Sequence, residues 1–222
     1  MQKTVIFDVD GTLLDSERIY MQTWVTVGAQ FGYTVTQEAL LRTRAVNSTV
    51  AKQVFQECCG QDFPYEAIVQ ARKGPVEEMF ETIAPEQLRM PYVTEMLQTL
   101  KNRGYTLAAA SSTPYEKTCK HLRHAGLYEF FDVIVCGDMV ERGKPEPDIF
   151  LKAAQLANSA PCQCVAVGDT PADVLGAGAA GIPVILIPDK VPANDQTTAL
   201  SRYVLSDLTQ VADAVETIFA DQ

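Results

Sequence analysis

Several patterns that mark secreted, membrane or zinc-scaffold proteins are missing from this 222-residue sequence. No apolar stretch approaches the length of a membrane span. The six cysteines form neither a C-x-x-C pair nor a zinc-type spacing, so we expect reduced and mostly buried thiols. The chain also starts without a charged and apolar leader, and we therefore expect no secretory signal and a cytoplasmic location.

Basic residues are in the minority. The sequence has 18 Lys and Arg against 28 Asp and Glu, which gives a formal net charge of -10. A surplus of negative charge is not attracted to nucleic acid or to an anionic membrane, so we expect neither as a partner. A small phosphate-bearing ligand stays compatible, because a metal ion and a few placed cations can hold it.

Short apolar segments alternate with helical ones in the second part of the sequence. Together with residues 3–8, the predicted strands are residues 105–110, 132–136, 164–167 and 183–187. The predicted helices are residues 92–103, 114–125, 148–156, 171–180 and 207–219. This alternation is typical of an α/β fold in which helices cover both faces of a parallel sheet. Thr113 and Glu116 read as a capping box for the helix that starts at Pro114.

Between the first strand and this alternating part, the sequence indicates helices only. Residues 16–31, 47–58 and 64–82 carry helical spacing, with Tyr20, Trp24, Val27 and Phe31 as one apolar stripe. The stripe predicts the core of an all-helical insert. We therefore expect two domains, one formed by residues 1–15 and 85–222 and a helical one by residues 16–84.

Two acids stand at the end of the predicted first strand. Asp8 and Asp10 are followed by Gly11, which gives the backbone freedom to bend there. Such a bend can turn both carboxylates into one crevice, where metal and phosphate chemistry is expected. Ligands of open parallel sheets bind beyond the carboxyl ends of the strands, and Ser111 and Asp169 follow two further predicted strands.

Four segments in this order resemble the motifs of the haloacid dehalogenase-like (HAD) hydrolase superfamily, most of whose members are Mg-dependent phosphatases. They are Val5–Asp15, Leu107–Thr113, Arg142–Pro147 and Val165–Asp173. The resemblance spans nearly the whole chain. It implies a Rossmann-like α/β core and makes the helical insert a C1 cap, which closes over the crevice and selects the substrate.

The resemblance also implies a role for each matching residue. Asp8 is the nucleophile that forms an aspartyl-phosphate, and Asp10 is the general acid and base. Thr12, Ser111, the amide of Ser112, and Lys144 belong to the phosphate site, with Thr12 positioning Asp10. Mg²⁺ is held by Asp8, the Asp10 carbonyl and Asp169, with Asp173 behind them or binding through water.

Polar residues of the expected cap are the candidates for contact with the part of the substrate that does not react. Arg44 and Asn47 are the preferred pair, because they precede a helix start that faces a variable loop. The other candidates are Arg42, Ser48 and Lys73. A sugar phosphate, phosphoglycolate or a nucleotide is compatible as the substrate, and the chain is expected to be a monomer or a small homo-oligomer.

Alternative interpretations remain open. Dehalogenases of the superfamily lack the second acid, which is present here as Asp10, so dehalogenation is disfavoured. Phosphomutases similar to β-phosphoglucomutase carry a lysine near the position of Pro114 and an acidic pair where Gly168 precedes Asp169, so hydrolysis is favoured over phosphoryl return to a sugar. A non-catalytic phospholigand-binding protein is the third alternative. His121 and His124, near Cys119, could suggest a metal site, but their helical context favours a solvated face.

Overall fold

The computed structural model describes residues 2–43, 48–189 and 192–221. These residues form two compact units, Met1–Asp15 with Pro85–Gln222, and Ser16–Ala84. We call them the sheet unit and the helical unit. None of the described helices is both long and apolar enough to cross a membrane. All six cysteines are free, and three of them are buried.

The described α-helices are numbered in chain order. They are α1 (Ser16–Gln30), α2 (Gln37–Arg42), α3 (Ser48–Cys59), α4 (Tyr65–Ala71), α5 (Lys73–Thr82), α6 (Pro85–Leu88), α7 (Val93–Asn102), α8 (Tyr115–His124), α9 (Asp148–Leu156), α10 (Pro171–Ala179), α11 (Asp195–Leu200) and α12 (Val211–Ala220). Short 3-10 turns cover Tyr128–Phe130, Gly137–Met139, Pro161–Gln163 and Leu208–Gln210.

The sheet unit is built on six parallel strands in the order β3-β2-β1-β4-β5-β6. The strands are β1 (Thr4–Phe7), β2 (Thr106–Ser111), β3 (Val133–Cys136), β4 (Cys164–Gly168), β5 (Val184–Leu186) and β6 (Tyr203–Val204). The predicted α/β class is confirmed. Strand β6 was not predicted, because it has only two residues, neither of them buried, and so carries no apolar run.

Both faces of the central strands are buried. Ile6 belongs to a cluster with residues of α9 and α10, and its neighbours Val5 and Phe7, which point to the other face, are equally inaccessible. A strand covered on both sides is continuously apolar rather than alternating, which is why β1 could be recognised in the sequence. Because β1 lies between β2 and β4, the loops after these three strands meet at one edge.

The helical unit surrounds an aromatic cluster. Trp24 lies 4.2 Å from Phe55 between ring centroids, and Phe55 stacks on Phe63 at 5.1 Å. Trp24 therefore packs in the core, as the apolar stripe predicted. Phe31, the last residue of that stripe, lies beyond the end of α1 and is exposed. The single helix predicted over residues 64–82 is wrong, since the chain breaks at Arg72 into α4 and α5. Pro75 follows closely, and proline is compatible only with the first turn of a new helix.

The chain segments that lead into and out of the helical unit pair with each other inside the sheet unit. Met90 N–H donates to the carbonyl of Leu13 at 2.9 Å, and Asp15 N–H donates to that of Leu88 at 2.8 Å. Between these two hydrogen bonds, Leu14 and Arg89 form an antiparallel bridge. The two ends of the insertion are thus held side by side.

The solvated face expected for the histidines of α8 is wrong in part. His121 and Cys119 are buried, and His124 is half-buried. The helix contacts β3, so the face that carries His121 and Cys119 belongs to the protein interior.

Candidate active site

The site begins where β1 ends. Asp8 is buried, and its backbone N–H donates to the carbonyl of Val167 in β4 at 2.8 Å. The chain then turns tightly, because the N–H groups of Leu13 and Leu14 both donate to the carbonyl of Val9. This turn keeps Asp10 at the same edge of the sheet as Asp8.

Gly11 makes room for Asp169 in this turn. Its φ is +91°, and a Cβ built on it would lie 2.9 Å from Asp169 Cγ and overlap a carboxylate oxygen. Only glycine satisfies both conditions without strain. Thr12 holds Asp169 from the other side, donating its hydroxyl to Oδ1 at 2.9 Å. The sequence prediction joined Thr12 to Asp10, whereas the structure gives the hydroxyl of this buried residue to Asp169. That Thr12 contributes to phosphate binding stays a prediction.

Lys144 reaches into the site from the loop before α9. Its ammonium contacts Asp8 Oδ1, lies 2.7 Å from Asp173 Oδ1, and donates to the carbonyl of Ala110 at 2.7 Å. The side chain is only 4% exposed, so this is not a solvated surface lysine. Gly176 of α10 lets that helix approach the loop, since a Cβ there would lie 3.2 Å from the carbonyl oxygen of Pro145.

Asp173 combines a structural and an electrostatic contact. One carboxylate oxygen, Oδ2, accepts the backbone N–H of Thr170 at 3.0 Å and its hydroxyl at 2.6 Å, which closes a capping box at the start of α10. The other oxygen, Oδ1, faces Lys144. Gly168 permits the close packing, because a Cβ there would lie 2.5 Å from Asp173 Cβ.

The three acids fit a divalent cation with oxygen ligands. Carboxylate oxygens of Asp8, Asp169 and Asp173 lie within 4.8 Å of one another, and all three residues are buried. Three buried carboxylates face one ammonium, which leaves negative charge that a hard dication can compensate. Since Lys144 and Thr170 already engage both oxygens of Asp173, the carboxylates of Asp8 and Asp169 are the better candidates for direct ligands.

The pKa values express the same excess of negative charge. Burial raises the pKa of Asp8 to about 7; Lys144 opposes the rise, and Asp173 and Asp10 add to it. Burial also raises the pKa of Asp169 to about 9, with further contributions from Asp8 and Asp173. For Lys144, burial favours the neutral amine, but Asp173 and Asp8 outweigh it and hold the pKa above its usual range.

The end of β2 and the loop after it bring two hydroxyl groups to Asp10. Thr113 donates its hydroxyl to Asp10 Oδ2 at 2.9 Å, and Ser111 Oγ lies 3.4 Å from the same oxygen. Thr113 was not among the predicted site residues, because the sequence pattern indicated a capping box at this position. That capping box is wrong, because α8 starts at Tyr115 and the Tyr115 N–H donates to Asp138 Oδ1 at 3.0 Å instead.

A sequence signal for Thr113 did exist. Residues i and i+2 of an extended segment share a face, so the side chain two positions after Ser111 was a candidate for the same crevice. Ser112, between them, is exposed. Its carbonyl oxygen would lie 2.5 Å from a Cβ at Gly137, which shows how closely the turn after β3 packs on this loop. That the Ser112 amide binds phosphate stays a prediction.

In the helical unit, the preferred residues Arg44 and Asn47 lie outside the described residues. Of the other candidates, Arg42 forms exposed ion pairs with Glu38 and Glu57, and Ser48 and Lys73 are exposed.

The helical unit contains a cavity of about 170 Å³ that the sequence analysis did not anticipate. It is lined by Glu17, Tyr20, Met21, Trp24, Leu40, Thr43 and Arg72. The buried guanidinium of Arg72 stacks on Trp24 at 3.9 Å and donates to the Tyr20 carbonyl at 2.6 Å and to the Thr23 hydroxyl at 2.9 Å. Burial lowers the pKa of Arg72 to about 10. No carboxylate of the described residues forms an ion pair with it.

Known proteins resemble this chain over most of its length. A phosphorylated carbohydrates phosphatase of Thermotoga maritima is 31% identical over 180 residues, which cover 81% of this chain and 82% of that protein. Protein CbbY of Rhodobacter capsulatus is 31% identical over 221 residues, covering 95% of each chain. Among solved structures, a candidate β-phosphoglucomutase of Thermotoga maritima has a TM-score of 0.80 and 26% identity, covering 98% of this chain and 99% of its own.

A family model for haloacid dehalogenase-like hydrolases matches residues 5–187. The match extends from β1 past β5 and includes all four motif segments. The predicted family and enzyme class are thereby confirmed. The chain belongs to the haloacid dehalogenase-like hydrolases, and it is a phosphoric monoester hydrolase of that family.

Proposed function

We propose that this enzyme is a Mg²⁺-dependent phosphatase that hydrolyses a small phosphomonoester through an aspartyl-phosphate on Asp8. The observation that carries the proposal is the buried contact of Lys144 with Asp8 beside Asp169 and Asp173. A carboxylate can attack an anionic phosphate only where positive charge compensates both. Lys144 supplies part of that charge, and the excess of acids around it suits a bound dication.

The first step forms the covalent intermediate. Asp8 attacks phosphorus with a carboxylate oxygen, the bond from phosphorus to the leaving oxygen breaks, and Asp10 gives that oxygen a proton. Lys144 keeps Asp8 ionised and neutralises charge on the transferring group. Asp8 and Asp169 would hold Mg²⁺, which, when bound, compensates the charge of the phosphoryl oxygens.

The second step releases phosphate. Asp10 takes a proton from a water molecule as that water attacks the phosphorus of the aspartyl-phosphate. The bond from Asp8 to phosphorus breaks, and the Asp8 carboxylate is restored. Asp10 ends the cycle protonated again, ready for the next leaving group.

A sugar phosphate is the substrate that the chain favours. The relative from Thermotoga maritima, named for its activity on phosphorylated carbohydrates, supports this class. Phosphoglycolate and nucleotides remain compatible with the chemistry of the sheet unit.

A phosphomutase is the second candidate, because a solved structure assigned to that activity shares this fold at 26% identity. A mutase must return phosphate to a sugar. Pro114 stands where such enzymes carry a lysine, which favours hydrolysis. Adding a sugar bisphosphate separates the two activities, since a mutase yields an isomerised sugar phosphate and a phosphatase yields free phosphate.

Phosphate release tests the proposal. Sugar phosphates, phosphoglycolate and nucleotides are incubated with and without Mg²⁺, using the wild type, Asp8→Asn and the control Asp213→Asn, an exposed acid of α12. We expect Mg²⁺-dependent release by the wild type and the control, and none by Asp8→Asn. No release from any compound by the wild type, or full release by Asp8→Asn, would overturn the proposal.

A further inference from the structure

The two oxygens of the Asp10 carboxylate have different surroundings. Oδ2 accepts the Thr113 hydroxyl at 2.9 Å and has the Ser111 hydroxyl at 3.4 Å. Among the described residues, no hydrogen bond reaches Oδ1. The distance from Ser111 is at the long limit for O–H···O bonds, whereas that from Thr113 is ordinary, so Thr113 makes the stronger contact.

We propose that Thr113 is a positioning residue, which fixes the carboxyl group of Asp10 for proton transfer. This inference rests on the proposed phosphatase function. Because Oδ2 is occupied as an acceptor, the exchangeable proton of Asp10 is carried by Oδ1. The proton leaves Oδ1 for the oxygen of the leaving group as that oxygen separates from phosphorus, and a water molecule returns one to Oδ1 in the second step.

The position of Thr113 is itself well determined. Its N–H donates to Ser111 Oγ at 3.1 Å, and its carbonyl accepts the hydroxyl of Thr118 at 3.2 Å. Its β-branched side chain has few rotamers. Immediately after it, Asp138 binds the first N–H of α8. The hydroxyl is therefore presented to Asp10 from an anchored loop.

If Thr113 positions Asp10, the loss of kcat/KM on removing its hydroxyl should depend on the leaving group. A sugar hydroxyl is a poor leaving group and needs a proton from Asp10 as the bond breaks, whereas p-nitrophenolate leaves readily without one. The ratio kcat/KM reports the step in which Asp8 is phosphorylated, which is the step that releases the leaving group. A loss confined to sugar phosphates is therefore a signature that general loosening of the loop would not produce.

The test compares four variants on the best sugar phosphate and on p-nitrophenyl phosphate. Thr113→Val keeps the shape of the side chain and removes the hydroxyl, Thr113→Ser keeps the hydroxyl, and Asp10→Asn removes the proposed acid. Thr99→Val is the matched control, since it removes a hydroxyl that donates only to the carbonyl of Glu95 within α7. Circular dichroism and thermal melting verify that each variant is folded.

We expect Thr113→Val to lose about 10- to 100-fold in kcat/KM on the sugar phosphate and less than about 3-fold on p-nitrophenyl phosphate. Thr113→Ser should restore the wild-type ratio of the two kcat/KM values, and Thr99→Val should keep it. An equal loss of Thr113→Val on both substrates, no loss on either, or the same selective loss in Thr99→Val would overturn the inference. A wild type that releases no phosphate, or an Asp10→Asn variant without leaving-group dependence, would instead overturn the proposed function.

Discussion

The ammonium of Lys144 lies 2.7 Å from Asp173 Oδ1, and both side chains are almost completely buried. Asp173 is held in turn by Thr170 at the start of α10. Asp173 thus both caps α10 and holds Lys144, the cation that contacts Asp8. Without the Asp173 carboxylate, Lys144 would be left with Asp8 and the Ala110 carbonyl as its partners, and a buried charge that loses one of its counter-charges is less well held.

Replacing Asp173 by Asn should therefore impair the site beyond its own helix cap. We expect Asp173→Asn to lower phosphate release about 10- to 100-fold, because a misplaced Lys144 orients Asp8 poorly. Asp148→Asn is the matched control, since Asp148 is also a first-turn acid with a cationic partner but pairs with exposed Arg142. The initial rate of phosphate release and the melting temperature are measured for both variants. Equal rates in the two would contradict the role given to Asp173.

Gly11 should not tolerate a side chain. Gly11→Ala meets a positive φ, which costs about 1 to 2 kcal/mol in a non-glycine residue, and overlaps Asp169. We expect lower stability in urea together with weaker stabilisation by Mg²⁺. Gly178→Ala is the control, because this position is helical and nothing lies within 4 Å; there alanine should add up to about 1 kcal/mol. Unchanged stability of Gly11→Ala would show that Asp169 can move aside.

The stability of the metal-free protein should depend on pH in a defined direction. Folding raises the pKa of Asp8 from 3.8 to about 7 and that of Asp169 from 3.8 to about 9. Between these values the folded state binds more protons than the unfolded state, so unfolding becomes easier as pH rises. With a chelator present, the contribution of the two acids should fall from about pH 4 to about pH 9.

Differential scanning fluorimetry of the wild type and Asp169→Asn checks this expectation. The melting temperature of the wild type minus that of the variant should decrease across this pH range, and added Mg²⁺ should raise the wild type most at the alkaline end. Binding of Mg²⁺ to the folded state alone stabilises by mass action. A difference that rises with pH, or no effect of Mg²⁺, would contradict the charge excess assigned to the site.

Arg72 should stabilise the helical unit. Arg72→Met removes hydrogen bonds from a buried guanidinium to the Tyr20 carbonyl and the Thr23 hydroxyl, and we expect a loss of about 2 kcal/mol. Arg72→Lys should recover only part of it, since an ammonium cannot stack as a plane on Trp24. Chemical denaturation followed by Trp24 fluorescence, with the exposed Arg42→Met as control, measures the difference. A full recovery by lysine would mean that charge alone matters.

The sequence could predict those parts of the site that depend on strand ends. Asp8 and Asp169 follow apolar runs that are recognisable because both faces of the strands are buried. The spacing from Ser111 could place Thr113 near the crevice, but the partners of Thr12 and Thr113 could not be predicted, because these contacts depend on how two turns bend. Local signals suggested a cap for Thr113, and tertiary packing gave its hydroxyl to Asp10.

For the helical unit, the helices could be predicted, but the contacts between their side chains could not. Its apolar spacing indicated helices, and Trp24 was expected in the core. The burial of Arg72 had no local signal, because its partners Tyr20 and Thr23 lie on another helix far away in the sequence. Lys144 was recognised from its motif, yet only the three-dimensional structure shows that Asp173 shares it with Asp8.

The paired segments around Leu14 and Arg89 bear on how such a protein can evolve. Because the ends of the insertion are hydrogen-bonded to each other, the sheet unit closes on itself whatever length of chain lies between them. Doubling the length of a closed loop costs only about 0.6 kcal/mol in entropy. Descendants of this chain can therefore exchange, shorten or enlarge the inserted helices while the fold of the sheet unit is inherited unaltered.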